Sequence, residues 1–114
     1  MSDVQKAANY LQMARVNMAQ GGKAVSPLGL EALLRLLEGP KTLPQLVKET
    51  GAPDGPMNRA LRRFCAYQDR TTGEIVEPEF KLLMRERRAE KLKGHLYRLT
   101  PEGRKFLAMA GFES

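Results

Sequence analysis

Helix start and stop signals recur at short intervals along this chain and limit every helix to a few turns. Ser26 followed by Pro27 has the form of an N-cap with proline at the first helical position, where a missing N–H group costs nothing. Thr100 followed by Pro101 repeats the pattern, and Thr42 begins a further helix. Glycine follows the helical segments, as expected at helix ends. The sequence therefore predicts a domain of short helices.

Apolar residues recur at helical spacing between these signals. The residues expected to face inward are Leu30, Leu33, Leu34 and Leu37 in the second helix, Leu43, Leu46 and Val47 in the third, and Met57, Ala60, Leu61 and Phe64 in the fourth. The first helix, capped by Ser2, has an apolar stripe of Val4, Ala7, Ala8, Leu11, Ala14 and Met18, and the apolar residues of the last helix are Phe106, Leu107 and Met109. The fourth helix is predicted to run from near Asp54 to about Gln68. The first, which ends at Gly21-Gly22, either packs on its own domain or contacts a second subunit.

The segment between the fourth and last helices differs in character. Thr71-Thr72-Gly73 predicts a turn, and Ile75-Val76 a short strand. Residues 80–100 predict a β-hairpin whose turn lies between about Ala89 and Gly94, although residues 80–93 also suit a helix, because helix formers lie between Pro78 and Gly94. The predicted fold class is mainly α with a small β-hairpin (α+β), in one domain over residues 1–114.

Composition limits the partners and the compartment. Nineteen Lys and Arg residues against 13 Asp and Glu residues give a net charge of +6 on 114 residues, which favours a polyanionic partner. Cys65 is the sole cysteine and His95 the sole histidine, so we expect no internal disulfide and no metal site of the usual zinc kind. Asn9, Gln12 and Arg15 interrupt the apolar residues of the first segment. We therefore expect a cytoplasmic protein with no membrane partner.

The basic residues cluster in two places. On the fourth predicted helix, Asn58, Arg59, Arg62 and Arg63 are expected to face solvent. On the predicted hairpin the cations are Lys81, Arg85, Arg87, Arg88, Lys91, Lys93, His95 and Arg98, opposed only by Glu86 and Glu90. Clustering of this kind favours a binding surface over charge that serves only solubility.

These residue types suit the recognition of double-stranded DNA. Arginine pairs with guanine O6 and N7 through two hydrogen bonds, and asparagine pairs likewise with adenine N6 and N7. Asn58 and Arg59 lie near the start of the fourth helix and Arg62 one turn further on, so these three are the predicted base readers. Arg63 and the hairpin cations are predicted to contact the phosphate backbone, which adds affinity without sequence information. The predicted backbone contacts are Arg63, Lys81, Arg85, Arg87, Arg88, Lys91 and Lys93.

Other classes of function fit the sequence less well. There is no nucleophile with an adjacent base and no glycine-rich phosphate loop, so we expect neither an enzyme nor a cofactor. A protein–protein adaptor remains an alternative, but an adaptor has no need of Asn58 and three arginines on one helix face. A non-specific nucleic-acid-binding accessory protein is the other alternative. Single-strand binding favours exposed aromatic residues, and Tyr10, Tyr67 and Tyr97 are scattered along the chain.

Three segments resemble the winged helix-turn-helix regulators of the MarR and PadR families. They are Thr42-Leu43-Pro44-Gln45-Leu46-Val47, Asn58-Arg59-Ala60-Leu61-Arg62-Arg63-Phe64 and Leu96-Tyr97-Arg98-Leu99-Thr100-Pro101-Glu102-Gly103-Arg104, which look like the bracing helix, the recognition helix and the second wing strand with the following helix cap. The resemblance favours strand over helix for residues 82–88. This chain departs from the family pattern because about a dozen residues, from Cys65 to Pro78, lie between the recognition helix and the wing.

The resemblance implies a winged-helix core over residues 26–100, with an N-terminal helix in residues 1–22 and a C-terminal helix in residues 101–114. It also implies a homodimer, with the outer helices at the interface, that regulates transcription from a palindromic operator. The chain has little room for the long helices that form ligand pockets in this family, so a small-molecule effector is not evident.

Overall fold

The computed structural model describes residues 2–17, 26–78, 80–87 and 94–113, and within these ranges the chain forms an α+β domain. The elements in chain order are α1 (Asp3–Asn17), α2 (Pro27–Arg35), β1 (Lys41–Thr42), α3 (Leu43–Thr50), α4 (Asp54–Arg62), β2 (Tyr67–Gln68), β3 (Ile75–Val76), β4 (Leu83–Arg87), β5 (His95–Leu99) and α5 (Pro101–Met109). A single 3-10 turn, Leu36–Glu38, extends α2. The predicted α+β class is confirmed. In this part of the chain no helix has the length and apolar content to cross a bilayer.

Side-chain caps begin the helices where the sequence predicts them. Ser26 and Thr100 each accept a hydrogen bond from the backbone N–H three residues later, at 3.1 and 3.0 Å. Thr42 accepts from the backbone of Gln45 at 3.3 Å, and the Gln45 side chain accepts from the backbone of Thr42 at 2.8 Å, which completes a capping box. Gly51 ends α3 with a φ of 75°, a left-handed conformation that favours glycine. Three of the predicted helix starts are therefore confirmed at the residue.

The core lies between α2, α3, α4, α5 and the larger sheet. Its fully buried large side chains are Phe64, Leu33, Leu36, Leu46, Met57, Leu61 and Leu107. The predicted inner face of α4 is confirmed, since all four of its residues are buried. The predicted inward residues Leu34, Leu37, Leu43 and Val47 are only half-buried. Of the apolar residues of α5, Leu107 is buried, Phe106 is half-buried and Met109 is 64% exposed.

Helix α1 packs on this core through Tyr10 and through one residue of its apolar stripe, Ala14. Tyr10 and Ala14 are buried, whereas Val4 and Leu11 are 80% and 59% exposed. The Tyr10 hydroxyl donates a 2.6 Å hydrogen bond to the carbonyl of Leu30 in α2, and its ring contacts two phenylalanine rings of the C-terminal segment. Val4 and Leu11 of the stripe therefore do not pack on the domain, because the aromatic ring of Tyr10, with its satisfied hydroxyl, determines which side of α1 is buried.

The predicted β-hairpin is confirmed as strands β4 and β5, which pair antiparallel in a sheet of order β1-β5-β4. Arg85 lies directly opposite Tyr97 in this register. Residues 88–93, where the sequence predicts the turn, lie outside the described residues. Strand β1 was not predicted: Lys41 pairs with Tyr97 and Thr42 with Leu96, so the residues before α3 form the third strand.

A second, smaller hairpin follows α4. The helix ends at Arg62 rather than near Gln68, because Tyr67 and Gln68 pair with Val76 and Ile75 instead of continuing the helix. The predicted turn and short strand within this segment are confirmed. The chain then returns to the end of α4, where Phe80 N–H donates to the carbonyl of Arg63 at 3.2 Å. The insertion is therefore closed at its base.

Helix α5 packs closely against the start of β4. The Thr100 N–H donates to the carbonyl of Leu82 at 3.0 Å, and the Thr100 hydroxyl donates to the carbonyl of Lys81 at 2.7 Å. Gly103 is buried at the contact, and a Cβ atom at this position would overlap the Leu82 carbonyl oxygen. The close approach therefore requires glycine at residue 103.

Candidate nucleic-acid interface

Helices α3 and α4 form a consecutive pair whose second member carries basic residues on its outer face. Arg59 and Arg62 are exposed, as predicted, whereas Asn58 and Arg63 are half-buried and face solvent only in part. Met57 and the other inner residues fix the rotation of α4, so the direction of these side chains follows from the packing. Helix α4 thus has an apolar inner face and a cationic outer one.

A surface groove runs beside the first half of α4. It has a volume of about 450 Å³ and is lined by Ser26, Leu28, Pro56, Arg59, Ala60 and Arg63. The guanidinium carbon of Arg63 lies 5.9 Å from the ring centroid of Phe80, so this arginine packs toward the chain that returns from the small hairpin. Arg59 is the more accessible cation of the groove.

The last residue of α4 contacts the small hairpin. The guanidinium carbon of Arg62 lies 4.5 Å from the ring centroid of Tyr67, within the range of a cation–π interaction. Tyr67 is the first residue of β2, and its ring also lines a second groove of about 550 Å³ between this hairpin and β4. Lys81 and Arg85, both exposed, line the same groove together with Glu77.

Tyr97 is the middle residue of β5. Its ring is buried on β5 opposite Arg85, and burial raises the pKa of its hydroxyl. The neighbouring Cys65 thiol raises this pKa further, while the cations of Arg85 and Arg62 oppose the rise. The positive charges of Arg62 on α4 and Arg85 on β4 therefore both favour the ionised form of this hydroxyl, although the sequence assigned the two arginines to separate elements.

Cys65 is a buried core residue. Its side chain is 3% exposed and its thiol donates to the carbonyl of Leu61 at 3.4 Å. Burial raises the pKa of this thiol, and Arg85 partly opposes the rise. A raised pKa is the opposite of what a reactive thiolate requires, so Cys65 is a small buried group of the core.

The remaining predicted backbone-binding residues are Arg87, Arg88, Lys91 and Lys93. Arg87 is the last residue of β4, and its side chain lies outside the described part of the molecule, as do Arg88, Lys91 and Lys93. Glu86, one of two acidic residues predicted to oppose the cations, forms a 3.0 Å salt bridge with Arg98 across the strands. His95 is exposed on β5, as predicted.

Sequence reasoning did not assign the two tyrosines to the site. Tyr67 follows Arg62 by five residues, a spacing that does not bring side chains together on a continuous helix, and their contact arises only because α4 ends. Tyr97 was expected in the core, but the pairing that brings it opposite Arg85 was not specified. No signal in the sequence pointed to either contact.

No family model matches this sequence, and comparison with curated proteins and with solved structures also finds no match.

Proposed function

We propose that this protein is a winged helix-turn-helix transcriptional regulator that binds double-stranded DNA sequence-specifically. In this proposal α3 braces α4, α4 enters the major groove, and the β4–β5 hairpin is the wing that follows the backbone. The observation that carries the proposal is the position of Tyr67, which contacts Arg62 of α4 and lines one groove with Lys81 and Arg85, so that cations of the helix and of the hairpin segment lie around one basic face. A face of this kind matches a duplex, whose phosphates flank the groove that the helix reads.

The residues divide by their position along α4. Asn58 and Arg59 lie four and five residues after its start, where recognition helices contact base edges, so they read bases. Arg63, Lys81 and Arg85 contact phosphates, together with the hairpin residues Arg87, Arg88, Lys91 and Lys93. Each base-reading contact contributes roughly 1–3 kcal/mol of discrimination between base pairs.

We also propose a homodimer formed through α1. Its exposed residues Val4 and Leu11 lie seven positions apart, on one side of the helix. Leu11 lines an apolar groove of about 250 Å³ with Ala7, Leu34 and Phe112. A second copy of this chain fits such a surface, because two half-sites of a palindromic operator require two α4 helices related by a two-fold axis.

The dimer is tested by substitution rather than truncation, since α1 contributes Tyr10 to the core. Leu11→Glu is expected to yield monomers in sedimentation equilibrium. The matched control is Val16→Glu, because Val16 is equally exposed at 59% but lies on a different side of α1. An unchanged oligomeric state in Leu11→Glu, or a monomeric unaltered protein, would contradict this interface.

DNA binding is tested by fluorescence anisotropy on random duplex DNA across a salt series, followed by selection of a preferred sequence from a random library. The unaltered protein is expected to bind random DNA with an affinity that falls steeply as salt rises. Arg59→Ala is expected to reduce the preference for the selected sequence. Arg35→Ala is the matched control, because it removes the same charge from a residue that pairs with Glu31 on α2. Absence of binding at low salt would refute the proposal and favour the adaptor.

A further inference from the structure

We infer that Tyr67 positions Arg62 for a phosphate contact shared with Arg85, so that Arg62 grips the DNA backbone rather than reading bases. This inference rests on the proposed function and deepens it. It gives the small hairpin after α4 a role, and it changes the assignment that the sequence alone supports for Arg62.

Position along the helix separates Arg62 from the base readers. Arg62 is the last residue of α4, eight residues after Asp54, which at 1.5 Å per residue is about 12 Å along the axis. Base contacts come mainly from the first turns of a recognition helix, and its far end approaches the backbone instead. Arg59 lies one turn closer to the start of the helix, and among the described residues no aromatic ring contacts its guanidinium group.

Stacking on Tyr67 restricts the Arg62 side chain. The guanidinium carbon lies 4.5 Å from the ring centroid, so the planar group lies against one face of the ring while its edge stays exposed. Lys81 and Arg85 line the groove that Tyr67 also lines, with Glu77 as the acidic member of that lining. A phosphate between Arg62 and Arg85 meets two cationic groups whose forked donors suit its oxygens.

The small hairpin is built as a rigid support for the ring. Its turn is held by hydrogen bonds from Asp69 N–H to the Glu74 carbonyl at 2.9 Å and from Gly73 N–H to the Asp69 carbonyl at 2.8 Å. The Asp69 carboxylate also accepts from the Thr71 N–H at 2.8 Å. With its base closed by the Phe80–Arg63 hydrogen bond, the insertion holds Tyr67 in a fixed position beside the end of α4.

A double-variant experiment tests the inference by anisotropy on random and selected duplexes. Arg62→Ala is expected to weaken binding to both duplexes equally, by roughly tenfold or more, and to lower the salt slope by about one. Tyr67→Leu is expected to weaken binding roughly two- to fivefold, the fold-change that corresponds to a lost exposed cation–π contact. Tyr67→Phe keeps the ring and is expected to bind within about twofold of the unaltered protein. In the Arg62→Ala background, Tyr67→Leu is expected to have no further effect.

The outcomes separate this inference from the proposed function. No DNA binding by the unaltered protein would refute the proposed function and the inference with it. If the unaltered protein binds but Arg62→Ala selectively loses the preferred sequence, Arg62 reads bases and only the inference fails. If Tyr67→Leu weakens binding equally with and without Arg62, Tyr67 contacts DNA directly or supports the fold, and its positioning role is excluded.

Discussion

Replacement of Gly103 by alanine should destabilise the protein, although alanine is the better helix former. Glycine to alanine inside a helix ordinarily stabilises a protein by roughly 0.5–1 kcal/mol. Here the new Cβ would overlap the carbonyl oxygen of Leu82 and lie 3.3 Å from Cδ2 of Leu99. The Leu82 carbonyl cannot move freely because it accepts the N–H of Thr100. Helix α5 must therefore shift by roughly 1 Å to restore ordinary contact distances.

The magnitude follows from these two opposing contributions. Overpacking a well-packed site costs about 1–3 kcal/mol, and a clash with backbone belongs to the upper part of this range. After the gain in helix propensity, Gly103→Ala should lower the free energy of unfolding by about 1–2 kcal/mol. At about 4 °C per kcal/mol for a domain of this size, the Tm should fall by roughly 4–8 °C.

Gly55→Ala provides the matched control. Gly55 is also helical, but a Cβ there would meet only the Nη1 atom of Arg59, at 3.5 Å. This variant should raise the Tm by roughly 2–4 °C. Thermal denaturation followed by circular dichroism at 222 nm distinguishes the two variants. Equal stabilisation by both substitutions would show that α5 does not approach β4 as closely as described.

Three further predictions concern stability and its dependence on pH. Tyr10→Phe removes the buried hydroxyl that donates to Leu30 and should lower the free energy of unfolding by about 0.5–1.5 kcal/mol in urea titration; no change would mean that the hydrogen bond contributes nothing. Thr42→Ala should lower the free energy of unfolding by about 1–2 kcal/mol, while Thr42→Ser should retain most of the capping box. Equal losses in the two variants would show that the loss does not come from the cap. Burial raises the pKa of the Cys65 thiol, so folding favours the neutral thiol. The contribution of this thiol to the free energy of unfolding is complete below its pKa in the unfolded chain, about 8.5, and is lost as the pH rises above that value. Cys65→Ala should therefore show a shallower loss of stability between pH 8 and 10, and an identical pH profile would exclude the thiol as its cause.

The sequence predicted the features whose causes lie within a few residues of one another. The caps at Ser26, Thr42 and Thr100 depend on a side chain and a backbone N–H three positions apart, and all three were located correctly. The inner face of α4 followed from helical spacing alone. Local chemistry was therefore sufficient for the starts of these helices and for the α3–α4 pair.

The features that the sequence did not predict depend on contacts between distant residues. Strand β1 exists because Lys41 meets Tyr97, and nothing near Lys41 indicates that pairing. The early end of α4 requires the pairing of Tyr67 with Val76, which competes with further helix. The sequence left the role of the α1 stripe open because helical spacing counts Val4, Leu11 and Ala14 equally, whereas the packing of one aromatic ring, Tyr10, decides which side of the helix is buried.

The same long-range contacts account for the mixed outcome at the candidate site. Residue types and helix position identified Arg59 and Arg62 as exposed cations on α4, and hairpin spacing identified Arg85. The contact of Arg62 with Tyr67, and the groove that Tyr67 shares with Arg85, depend on the strand register of the hairpins and on the return of the chain to Arg63 after the insertion. Residue spacing predicts neither the strand register nor the return of the chain. An insertion whose two ends are held together at its base brings the chain back to the same place whatever the length of the insertion.

Thr42 belongs to two elements at once, since it pairs with Leu96 in the sheet and caps α3. At Thr42 the orientation of the helix pair relative to the large hairpin is consequently constrained without an intervening linker. One residue inserted between Gly39 and Thr42 would shift the strand register and exchange the two faces of β1, or else displace the cap. The small hairpin, in contrast, should accept changes of length at its turn without altering that orientation. Natural variation in length among relatives should therefore concentrate around residues 70–73 and be rare around residues 40–42.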